Sequence, residues 1–265
     1  IKLIKYIKSL HMFNFFKKKP KVEFVCLFPE IKEIMPITPA GKIKFDWIKP
    51  AIDDWKKTQE EMKDTPVKLT HFARCPGMHK IMREGWILRS WCDFTIKTDG
   101  DGKTFQWGSP VSQKSMDADH IWKWDYLSHH AESIFGQTDR RNTLDTVIKV
   151  QSPWIVYVPK GYYLLCMPCP YPDNHSFTAA TGFIDGDEGP NFLNVQLYWH
   201  ELDGITKIPA GTPLAQYMLV KKDKIDGDVR SVTDKDIKNL RLRSTILDNR
   251  FIVDYKPLKD AKWHE

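Results

Sequence analysis

The apolar positions of this chain fall mostly into short runs with a period of two, interrupted by Pro and Gly. That is the pattern of a β protein with many turns. The densest stretch runs from Ile155 to Leu219. It opens with Ile155-Val156-Tyr157-Val158 and, after Pro159-Lys160-Gly161, continues as Tyr162-Tyr163-Leu164-Leu165-Cys166-Met167 up to Pro168. Its middle is Thr181-Gly182-Phe183-Ile184-Asp185-Gly186-Asp187, then Phe192 and the alternation Asn194-Val195-Gln196-Leu197-Tyr198. It closes on Lys207-Ile208-Pro209-Ala210-Gly211-Thr212, then Pro213-Leu214-Ala215-Gln216-Tyr217-Met218-Leu219. The Pro and Gly groups between these runs supply turns.

The rest of the chain reads in order as follows. Residues 1–11 predict a short amphipathic helix with Ile1, Ile4 and Ile7 on one side, and Met12-Phe13-Asn14-Phe15 is expected to be a translation start. A strand is predicted over 22–28, closed by Pro29 and followed by a turn-rich connection through Pro36, Pro39 and Gly41. Asp46 is expected to cap a helix over 47–63, with Trp47, Ile48, Ala51, Ile52 and Trp55 on its apolar side and Pro50 in its first turns. A short helix at 77–84 ends at Gly85. Residues 86–97 predict one continuous strand, and 103–107 return as its hairpin partner after the Thr98–Gly102 reversal. Residues 110–145 read as an irregular polar flap, and Thr233 caps a helix over 234–243. This gives a basic N-terminal arm (1–22), strand and helical additions (23–85), a core (86–220, with the flap inserted at 110–145), and a C-terminal helix and tail (221–265).

Composition sharpens that picture. Seventeen Pro and fourteen Gly beside ten Trp and fourteen Phe favour a loop-rich β fold over a helical bundle. No apolar run is long enough to cross a bilayer, and the lysine-interrupted N-terminus does not read as a secretory signal. Residues 1–22 carry seven lysines and no acid, more than the whole net charge of +6, so the basicity is local. The arm suits an anionic partner; the body of the chain is not a basic nucleic-acid-binding surface. Five scattered cysteines, an odd count, fit free thiols in a reducing compartment.

Some residues suggest metal chemistry. Cys166-x-x-Cys169 would need two more ligands for zinc, and Cys92, His175 and His200 have no diagnostic spacing; strand cysteines filling the core are the simpler reading. His120, His129 and His130 with Asp117, Asp119 and Glu132 form a second candidate group without helical ligand spacing. Asp99-Gly100-Asp101-Gly102 lacks the later ligands of a calcium loop and reads as a turn.

The Pro159…Tyr163 turn, Gly182-Phe183-Ile184-Asp185-Gly186-Asp187 and Gly211-Thr212-Pro213-Leu214-Ala215-Gln216 together resemble the β-clip core of the dUTPase and dCTP deaminase superfamily. The resemblance implies a mainly β fold: a β-clip or distorted jelly roll with N-terminal helical additions and a C-terminal helix, assembled as a homotrimer. It implies that Asp185 stands at the water-aligning carboxylate, and that Phe183, Asp187 and Gln216 lie at the ligand site. It also sets Asp93, within Ser90-Trp91-Cys92-Asp93-Phe94, near a metal-bound triphosphate, and Mg²⁺ would be the cofactor of such an enzyme. The departures are specific. After Pro168 the family has Arg-Ser-Gly to hold phosphate; here the chain reads Cys169-Pro170-Tyr171. After Asp187 stands Glu188, a negative charge where an anionic substrate would lie. Residues 20–222 are also similar to uncharacterised proteins of tailed bacteriophages and some bacteria, through Arg74-Cys75-Pro76, Trp91…Asp93-Phe94, Pro153-Trp154 and the motifs above.

The expected function is therefore a phage-encoded, non-enzymatic binding or assembly protein, without a cofactor, in the host cytoplasm or the virion. Other virion proteins are its expected partners. The alternatives are a divergent Mg²⁺-dependent nucleotide hydrolase around Asp185 and Asp93, and a nucleotide sponge that binds without turnover.

Overall fold

The structure is a computed structural model that describes residues 19–64, 75–110, 127–130 and 142–241, with backbone alone for 127–130. The elements in chain order are β1 (Glu23–Cys26), α1 (Pro29–Ile34), β2 (Thr38–Pro39), α2 (Ile48–Glu61) and α3 (Pro76–Ile81). They continue with β3 (Trp86–Arg89), β4 (Phe94–Asp99), β5 (Gln106–Gly108), β6 (Leu127–His130), β7 (Val147–Val150), β8 (Trp154–Tyr157) and β9 (Tyr162–Met167). Then come β10 (Phe177–Ala179), β11 (Gly182–Asp185), β12 (Asn191–Phe192), β13 (Val195–Trp199), β14 (Asp203–Ile208) and β15 (Pro213–Lys221). A further helix, α4, occupies 234–241. The chain divides into two compact units, Ile1–Lys222 and Asp223–Glu265.

The first unit is mainly β, built from antiparallel sheets that do not close into a barrel. The largest has the order β11-β9-β15-β3-β2, and a second has the order β10-β13-β7-β6. Two three-stranded sheets run β1-β8-β12 and β14-β4-β5. Every pairing among the described strands is antiparallel. The sheets share one core because alternate residues of each strand point inward. Leu88, Phe94, Ile96, Ile148, Val156, Leu164, Leu197, Trp199, Ile208 and Tyr217 all lie in it, drawn from all four sheets. Phe177 and Trp199 face one another across β10 and β13 with rings stacked 6.2 Å apart.

Several expectations are corrected. The strand read over 86–97 is two strands in different sheets: β3 pairs with β15, and β4 with β14 and β5. The break falls at Ser90, whose N–H donates to Thr212 O and whose hydroxyl donates to Cys92 O, so the chain turns out of one sheet into the next. Residues 110–145 were read as irregular, yet β6 lies there and pairs with β7. The turn-rich connection after Pro29 contains α1, with Pro29 in its first turn, where a missing N–H costs nothing. Asp46 does not cap α2. The carboxylate of Asp173 accepts the backbone N–H groups of Asp46 (3.1 Å) and Trp47 (3.4 Å), and Trp47 Nε1 donates to Tyr171 O at 2.8 Å. A loop more than a hundred residues away thus anchors the chain just before α2. Strand β1, placed among the additions, pairs with β8 along its full length.

Other readings hold. The apolar side of α2 is half-buried, and α3 ends before the Gly85 turn. Thr233 and Asp236 form a reciprocal cap at α4, with Asp236 N–H to Thr233 Oγ1 at 3.4 Å and Thr233 N–H to Asp236 Oδ2 at 2.9 Å. The 1–11 helix, the Met12 start, the His120, His129 and His130 side chains, and the tail beyond 241 lie outside the described residues.

Candidate functional site

Asp185 ends β11, the edge strand of the five-stranded sheet, opposite Tyr163 of β9, which in turn faces Val220 of β15. Two residues on, Lys222 points to the same side as Val220. Tyr163, Asp185 and Lys222 therefore meet on the outer face, while Leu164 and Cys166 fill the core on the other. Lys222 Nζ bonds Asp185 Oδ1 and reaches Asp187 Oδ2 at 2.6 Å. It sits 4.4 Å from the centroid of the Tyr163 ring, within cation–π range. The ammonium is mostly covered, its side chain only 17% exposed.

Backbone donors complete the arrangement. The Asp187 N–H donates to Asp185 Oδ1 at 2.8 Å, an Asx turn, and the Gly161 N–H donates to Asp187 Oδ1 at 3.0 Å. Gly186 between them fits only as glycine: a Cβ there would stand 2.4 Å from Pro159 O. Lys222 and these donors hold both carboxyls below the usual carboxylate range; Lys222 is the first cause in each case, followed by the Asp187 and Gly161 N–H groups respectively. Burial works against the charge of Lys222, but its two carboxylate partners outweigh this and push its pKa up to about 12. Beside the cluster, Phe183 is 61% exposed, its ring 5.2 Å from that of Tyr163.

Asp93 lies elsewhere. Its carboxylate pairs with Lys207 Nζ at 2.6 Å and accepts the Ala210 N–H at 2.8 Å, and these contacts, Lys207 first, lower its pKa. Asp185 sits at the Val220 end of β15, whereas Pro213, at the other end of that strand, faces Arg89, four residues before Asp93. Seven residues of strand separate those ends, roughly 20 Å at about 3.3 Å per residue. One chain therefore does not bring Asp93 and Asp185 to a common site.

Gln216 is fully buried in β15, and its Nε2 donates to Ile81 O at 2.7 Å and Glu84 O at 2.6 Å. It ties the α3–β3 turn to the sheet, and it stands four residues before Val220 on the same face of β15, roughly 13 Å along the strand from the Asp185 cluster at about 3.3 Å per residue. Of the predicted site residues, then, Asp185, Asp187 and Phe183 are neighbours and Asp93 and Gln216 are not. The residue missing from the sequence reading is Lys222. Its signal was a lysine in phase with Val220, but its partners depend on the pairing of β9 with both β11 and β15.

Cys166 and Cys169 are buried free thiols. Burial raises them to about 11 and about 12, which suits core filling and not nucleophilic or thiolate chemistry. Two of the other zinc candidates are engaged separately: Cys92 Sγ lies 3.3 Å from Ser109 Oγ, and the His200 ring nitrogens meet Thr143 and Thr178. Among the described residues, no three His, Cys, Asp or Glu side chains converge to hold a metal ion, and no helix is long and apolar enough to cross a membrane. No protein-family model and no curated protein matches the chain.

Proposed function

We propose that this is a phage-encoded, non-enzymatic binding or assembly protein whose core is related to the β-clip of the dUTPase and dCTP deaminase superfamily, acting in the host cytoplasm or as part of the virion. The observation that carries the reading is the pairing of Asp185 Oδ1 with Lys222, on which the Asp187 N–H also converges. That oxygen locks a turn and its charge is matched within the fold, while Oδ2 carries neither contact. Residues 168–171, Pro-Cys-Pro-Tyr, offer no cation to a phosphate, and the buried Cys169 thiol stays neutral. Glu188 adds a charge of the wrong sign for a nucleotide. The homotrimer, the virion partners and the anionic partner of the 1–22 arm belong to this reading.

The test is a turnover and thermal-shift panel with dUTP, dCTP and the other deoxynucleotides, with and without Mg²⁺, since a ligand of the native state raises Tm. No turnover and no shift are expected. Turnover by the wild type that is lost in Asp185→Asn overturns the reading in favour of a hydrolase, and a Tm shift without turnover overturns it in favour of a nucleotide sponge.

A further inference from the structure

We draw no further inference here: the strongest candidate, the outer face of the β1-β8-β12 sheet on which Val25 and Tyr157 stand exposed, is an apolar face, and nothing among the described residues shows what covers it.

Discussion

Lys222 and Asp185 come from opposite borders of a three-strand block, β11-β9-β15, and their ion pair clamps that block at one end. Replacing Lys222 by Gln removes the cation from between Asp185 and Asp187 and leaves the two carboxylates to repel one another. The variant should fold with a Tm lower by a few degrees, and Asp185→Asn should cost less, because an amide still accepts the Asp187 N–H. Thermal unfolding by circular dichroism checks both.

The same clamp sets a pH dependence. Both carboxyls are lowered in the folded state, so their contribution is complete above the unfolded carboxyl pKa of about 3.9 and is lost as pH falls through the still lower folded values. Lys222 is raised, so its contribution is complete below its unfolded pKa of about 10.4 and is lost as pH rises through about 12. The Tm gap between wild type and Lys222→Gln should be flat from pH 5 to 9 (about a unit inside either limit) and shrink below about pH 4.

Gln216→Leu keeps the volume of a buried side chain but strands the carbonyls of Ile81 and Glu84. Ile81 is half-buried and Glu84 exposed, so water can reach part of what is lost; at about 0.5–1.5 kcal/mol net per hydrogen bond the variant should lose roughly 1–3 kcal/mol in urea unfolding. A loss under 1 kcal/mol would mean that the α3–β3 turn is not held by this side chain.

Gly85 has φ +71°, and a Cβ there would stand 1.9 Å from Tyr217 O. Gly102 has a similar φ of +70° but open space around it. Gly85→Ala should therefore destabilise by more than about 2 kcal/mol, and Gly102→Ala by about 1 kcal/mol, the backbone term alone. Parallel urea titrations separate the steric contribution from the conformational one.

Thiol reactivity follows burial. At pH 8 Cys75, which is exposed, should react with a disulfide reagent within the native protein. Cys92, Cys166 and Cys169 are buried and should react only after denaturation, and rapid native labelling of Cys166 or Cys169 would contradict the core packing described.

The sequence by itself determined what depends on neighbours within a few residues. Period-two runs placed β1, β9, β13 and β15, helical spacing placed α2, and Thr233 marked the start of α4. The Asx turn of Asp185 on the Asp187 N–H uses only its own backbone, yet the sequence reading placed both residues at a ligand site by resemblance. Tertiary structure decided whatever required the pairing of distant segments. The 86–97 run was divided between two sheets because Ser90 bonds Thr212, and the chain entering α2 was anchored by Asp173 because its loop lies alongside. Asp93 and Asp185 were set at opposite ends of β15, and Lys222 was brought onto Asp185, by the registers of β15 with β3 and β9. Those registers arise from burial of alternate residues across the whole core, a sum over long-range contacts that no local run of residues encodes.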